Sequence, residues 1–120
     1  MPDVVVTVPK GVWDEWIAEG DLPGDEPGDL ESHFWLSGFG FPQVRPGERV
    51  YIVAHGKLRG YAPLVRFELA CTLRPERSCL VRNGGAVAVT IDDPIRGFQG
   101  WRYRWWDLAE EKPFPEWSQP

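Results

Sequence analysis

Residues 41–63 read FPQVRPGERVYIVAHGKLRGYAP. Pro46-Gly47 is a turn pair: proline presets the first central position, and glycine accepts the positive φ of the second. Val50-Tyr51-Ile52-Val53-Ala54 is a β-branched and aromatic run, apolar at every position. It predicts a strand buried on both faces. His55-Gly56 reverses the chain, and the return strand starts over Leu58 to Tyr61. Turn, strand, turn and strand in so short a stretch make a hairpin inside a small closed β structure.

Toward the N-terminus, Val4-Val5-Val6-Thr7-Val8 is a second β-branched run and predicts a central, buried strand. Pro9-Lys10-Gly11 breaks it. Val12, Trp13, Trp16 and Ile17 then fall on one helical face with Asp14, Glu15 and Glu19 opposite, which predicts a short helix stopped by Gly20. Residues 20–32, GDLPGDEPGDLES, read as an acidic, Gly/Pro-rich surface loop within the domain. His33-Phe34-Trp35-Leu36 follows as a short apolar strand.

Beyond the hairpin, Val65, Phe67 and Leu69 alternate with Arg66 and Glu68, which predicts a half-buried strand. Pro63 marks an edge or a bulge there. Leu80 to Arg82 and Ala86 to Ile91 predict further strands split by Asn83-Gly84-Gly85. Trp101, Tyr103 and Trp105 alternate with Arg102 and Arg104, so the aromatics take the inward face and the guanidiniums the outward one. The tail from Glu110 holds three prolines and predicts no regular element. The whole reads as one domain over residues 1–120: an α+β fold of about six short strands and one N-terminal helix.

The chain has 120 residues with seven Trp and six Phe, a heavy apolar load for one domain. No run approaches the ~18 apolar residues of a membrane span, and the N-terminus does not read as a signal peptide. A soluble, cytoplasmic protein is the expectation. Cys71 and Cys79 are too few for a disulfide framework or a zinc site and read as small, buried or half-buried residues. The net charge of −5 argues against a general nucleic-acid coat protein, but it is unevenly spread. Residues 1–43 carry nine acids and one base, whereas residues 44–105 carry eleven bases and five acids. The basic segment holds most of the strands. That pattern fits either a positive face or arginines that only solvate exposed strand faces.

The common catalytic patterns are absent: no GxSxG, HExxH, P-loop or CxxC pair occurs. His33 and His55 show no i, i+4 ligand pairing, so no metal and no cofactor is expected. His55 fits a tight turn, and His33 fits either a pocket or a surface position. Trp13 and Trp16 read as core, as do Trp101 and Trp105. Trp35 lies between an acidic loop and the glycine-spaced Gly38-Phe39-Gly40. It fits core burial or a rim where a planar ring stacks.

The order strand, Trp-bearing helix, variable loop, aromatic strand and PGERVYIVAHGKLRGYAP resembles the PUA-like superfamily, in particular its ASCH and EVE branches. Pro46, Gly47, Glu48 and Arg49, then Gly56, Gly60, Tyr61 and Ala62, carry the resemblance, and residues 97–107 (GFQGWRYRWWD) look like the closing strand. The resemblance implies a pseudo-β-barrel with a cleft that binds RNA or a modified base, down to a nucleoside-sized ligand. It puts Lys10, His33, Trp35, Ser37 and Trp101 at the cleft, with Lys57, Arg59, Arg102 and Arg104 on phosphates. The chain departs from the family where a lysine-bearing motif follows the helix: Glu19-Gly20-Asp21 stands there instead. Lys10 and Glu68 are the weak catalytic candidates that remain for amide hydrolysis on a modified nucleoside. Three functions are thus open: a nucleic-acid-binding module, a small amide hydrolase, and a protein-interaction or regulatory domain.

Overall fold

The computed structural model describes residues 3–8, 32–35, 43–70, 78–82, 87–98 and 101–114. Its centre is a four-stranded sheet in the order β4-β3-β1-β8, built from β1 (Val4–Thr7), β3 (Arg49–Ala54), β4 (Lys57–Pro63) and β8 (Trp101–Tyr103). The two β-branched runs lie side by side in parallel, with Val4 opposite Val50 and Val6 opposite Ile52. Both are interior strands, and Val4, Val5, Val6, Tyr51, Ile52 and Val53 are all fully buried. The continuous apolar spelling of these segments is the signature of a strand covered on both faces.

One face carries Val4, Val6, Val50, Ile52 and Ala62. It is covered by a three-stranded sheet, β2-β6-β5, through Leu80 and Phe67. In that sheet β2 (Ser32–Trp35) and β5 (Arg66–Glu68) flank β6 (Cys79–Arg82). The other face carries Val5, Tyr51, Val53 and Leu58, and is covered by Ile91, Ile95, Phe98 and Trp106. A two-stranded ribbon of β7 (Val89–Thr90) and β9 (Lys112–Pro113) adjoins it. The bridge between Tyr61 and Val87 ties this ribbon to β4.

Both turns of the opening hairpin form as spelled. Glu48 N donates to Arg45 O at 3.0 Å with Gly47 at φ 90°, a type II turn with proline and glycine at its two central positions. His55 and Gly56 sit at φ 53° and 76° between β3 and β4, the pair of positive angles that a two-residue primed turn requires. The β3–β4 register slips between Ile52 and Val53, so Arg59 is the extra residue of a β-bulge.

The expected α+β pseudo-barrel is not what forms. Among the described residues the elements are strands plus one 3-10 turn, η1 (Leu108–Glu110), and no sheet closes on itself. The helix expected over residues 12–19 lies outside the described residues, as does the acidic loop expected at 20–32 apart from Ser32, which opens β2. Closure needs every strand to have two neighbours. β4 ends at Pro63, which has no N–H to give, and the chain then crosses to the second sheet, where Val65 N bonds Val81 O at 2.8 Å. At the other edge β8 has only three residues.

Smaller corrections follow from the same geometry. Leu69, expected inward, is 68% exposed because β5 stops at Glu68. The tail forms β9 and η1, since Phe114 N bonds Ala88 O at 3.0 Å. Cys79 is buried and unbridged, whereas Cys71 lies outside the described residues. Among the described residues no helix is long and apolar enough to cross a membrane.

Candidate functional site

The aromatic and arginine residues that reach solvent together lie along β8 and the segments on either side of it. β1 positions them from both ends. At one end, Thr7 Oγ1 accepts from Phe98 N at 3.2 Å and holds residues 97–98 against the strand. At the other, Asp3 takes three donors: Arg49 N at 2.9 Å, Arg104 Nε at 3.3 Å, and Arg104 N through its backbone oxygen at 2.9 Å. Antiparallel pairing with β1 then sets the faces. Trp101 and Tyr103 stand opposite Val6 and Val4, and Arg102 stands opposite Val5.

The rings make edge-to-face contacts in two groups, Trp101 with Tyr103 on one side and Phe98, Trp105 and Trp106 in a row on the other. Trp101 and Tyr103 are 4.9 Å apart, Phe98 and Trp105 6.3 Å, and Trp105 and Trp106 5.0 Å, measured between ring centroids. Trp101 is half-buried against the core. Tyr103 and Trp105 are exposed, Trp105 by 51%. Arg102 is exposed and lies over the Phe98 ring at 4.4 Å, so the ring positions its guanidinium and leaves the charge in water. Arg96, two residues before Phe98, is also exposed.

The outward indole is a correction. Alternation from Trp101 places Trp105 inward, but the strand ends at Tyr103 and the next inward ring is Trp106, 5% exposed. Trp106 Nε1 donates to Glu111 Oε2 at 2.9 Å, and Tyr51 OH donates to the same oxygen at 2.5 Å. Arg49 Nη1 reaches Tyr51 OH at 3.0 Å and Glu111 Oε1 at 3.2 Å. Burial, reinforced by the hydrogen bond to Glu111, pushes the Tyr51 phenol well above its usual range. This network fastens the segment after β8 to the sheet, and so fixes which of the two adjacent tryptophans faces out. The Trp105-Trp106 pair was the available sequence signal, because two adjacent aromatics cannot share one face of a strand.

The other candidates separate. Arg59, expected on phosphates, is 1% exposed. The bulge turns it inward, where Nε donates to Ala54 O at 3.0 Å and the guanidinium lies 5.3 Å from the Phe114 ring centroid. Arg104 is held by Asp3 and by the backbone oxygen of Trp106, which makes it a structural group. Lys57 is exposed at the start of β4, on a different cleft. Glu68 accepts from Arg66 Nε at 2.7 Å and faces Cys79 Sγ at 3.6 Å. His33 and Trp35 occupy β2, paired with Val81 and Cys79. Their side chains, and Lys10 and Ser37 entirely, lie outside the described residues. Phe98, Tyr103 and Trp105 are the exposed or half-exposed members that sequence reasoning did not select. No family model, curated protein or solved structure matches the chain.

Proposed function

We propose that this protein binds RNA, or a modified base within it, through the aromatic and arginine edge around β8, and that it does so in the cytoplasm. The observation that carries this reading is the exposed Trp105 indole set in a fixed chain of rings, with Arg102 poised over Phe98 beside it. An exposed indole held by neighbouring rings loses little freedom when a base stacks on it. Arg102 over Phe98 and the exposed Arg96 two residues before that ring add positive charge that forms no ion pair among the described residues. Asp107 and Glu110 carry negative charge beyond Trp105, so a strand would run its phosphates past the arginines and lay a base on the indole. Glu68, weighed for amide hydrolysis, is engaged by Arg66, which favours binding over catalysis.

The test is fluorescence titration with single-stranded RNA oligonucleotides at several salt concentrations. Binding that quenches tryptophan emission and weakens with salt supports the reading. Trp105→Ala should lower affinity about 5- to 150-fold, the equivalent of ~1–3 kcal/mol of stacking. An unchanged Kd in that variant, or an affinity indifferent to salt, would remove the proposal.

A further inference from the structure

A second site lies away from the aromatic edge. A cleft of about 510 Å³ opens between the start of β4, the bend after β7, and β9. Its shape is fixed by backbone. Ile95 N donates to Gly56 O at 3.0 Å, which ties the bend to the β3–β4 turn, and Thr90 pairs with Lys112 across the ribbon. Ile91 and Phe114, both buried, supply the apolar lining. The volume falls in the range of small-molecule sites.

The charges of the cleft decide what it accepts. Lys57, Lys112, Asp92 and Asp93 line it. Lys112 Nζ and Asp92 Oδ1 form an ion pair and largely neutralise each other. Lys57 and Asp93 come from different elements, are exposed, and form no ion pair among the described residues. Among the described residues, one ammonium and one carboxylate without an ion-pair partner therefore share a cleft of mixed polar and apolar lining. A phosphate or dicarboxylate would meet the two aspartates, and a polyamine would meet the two lysines. A ligand with one charge of each sign satisfies both groups.

We infer that this cleft binds a zwitterionic α-amino acid with an apolar side chain. The carboxylate of the ligand faces Lys57, its ammonium faces Asp93, and its side chain lies on Ile91 and Phe114. This site is independent of RNA binding at β8.

The experiment is an NMR amide titration with L-leucine, 4-methylpentanoate and 3-methylbutylamine as probes. The last two are leucine without its amine and without its carboxylate. L-leucine should shift the amides of Lys57, residues 90–93 and Phe114, with a Kd of about 1 mM, an affinity suited to a small ligand in an open cleft. Each one-charge probe should bind about five- to tenfold more weakly, as should L-leucine to Lys57→Ala and to Asp93→Ala. Both variants change exposed side chains, and their own spectra report whether the fold is kept. The inference is overturned by any of three results: no shifts up to about 10 mM L-leucine, ten times the expected Kd; shifts confined to other residues; or a one-charge probe binding as tightly as leucine.

Discussion

Replacing Glu111 by alanine tests how the segment after β8 is held. The Glu111 side chain is only 7% exposed and accepts from Tyr51 OH, Trp106 Nε1 and Arg49 Nη1. Tyr51 and Trp106 are buried, so the substitution leaves a phenol and an indole N–H with no acceptor and no water. Each orphaned donor costs about 1–2 kcal/mol. Arg49 adds little, because its side chain is 33% exposed and can turn to solvent. The expected loss is therefore about 3 kcal/mol, against a total stability of ~5–15 kcal/mol for a domain of this kind. Urea unfolding followed by tryptophan fluorescence measures it, with the m-value unchanged. Adding Tyr51→Phe removes one orphan, and the double variant should be about 1 kcal/mol more stable than the sum of the two single changes predicts. A loss below about 1 kcal/mol for Glu111→Ala, or strict additivity in the double variant, would refute the desolvation account.

Three further outcomes are expected. The Tyr51 phenol titrates higher in the folded chain than in the unfolded one. Above pH ~10 the unfolded state therefore loses a proton that the folded state keeps, and stability falls by about 1.4 kcal/mol per pH unit. Tyr51→Phe should flatten that alkaline limb in a pH series of urea melts, and an unchanged limb would contradict the assignment. Gly56→Ala meets no neighbour within 4 Å, yet its φ of 76° disfavours any L side chain. It should lose about 1–2 kcal/mol by thermal unfolding, whereas a gain would show that the turn is not held at that angle. Arg102→Ala should lower the salt dependence of RNA binding, the slope of log K on log salt, by about 0.7. Arg104→Ala should leave the slope alone and cost stability instead, because its guanidinium already serves Asp3.

The legible parts of this chain are those where local chemistry has one solution. Pro46-Gly47 and His55-Gly56 form the turns they spell, because proline and glycine restrict or release φ without reference to the rest of the molecule. The runs at Val4–Thr7 and Arg49–Ala54 are buried on both faces, as uninterrupted apolar spelling requires. Pro63 falls at the end of an edge strand, where its missing N–H leaves no ladder position empty.

The candidate site was legible in composition more than in geometry. Arg102 is exposed as alternation places it, and Trp101 packs against the core. Arg59 reads as an outward strand residue, but a one-residue bulge carries it inside. A bulge depends on the partner strand as much as on its own sequence. Trp105 and Trp106 exchange the places that alternation gives them, because β8 stops at Tyr103 and Glu111, remote from the strand in sequence, takes the indole N–H of Trp106.

Strand identity and turn position are thus local properties. They follow from side-chain branching, ring constraint and apolar spacing along a few residues. Closure, strand order and the exposure of one tryptophan over its neighbour are decided by which distant groups meet. The hairpin read from residues 41–63 is present over 43–63, yet it belongs to the middle and edge of a sheet that does not close among the described residues. Backbone pairing satisfies each strand pair by pair, and nothing in a single strand's spelling states how many neighbours the sheet will find before it ends.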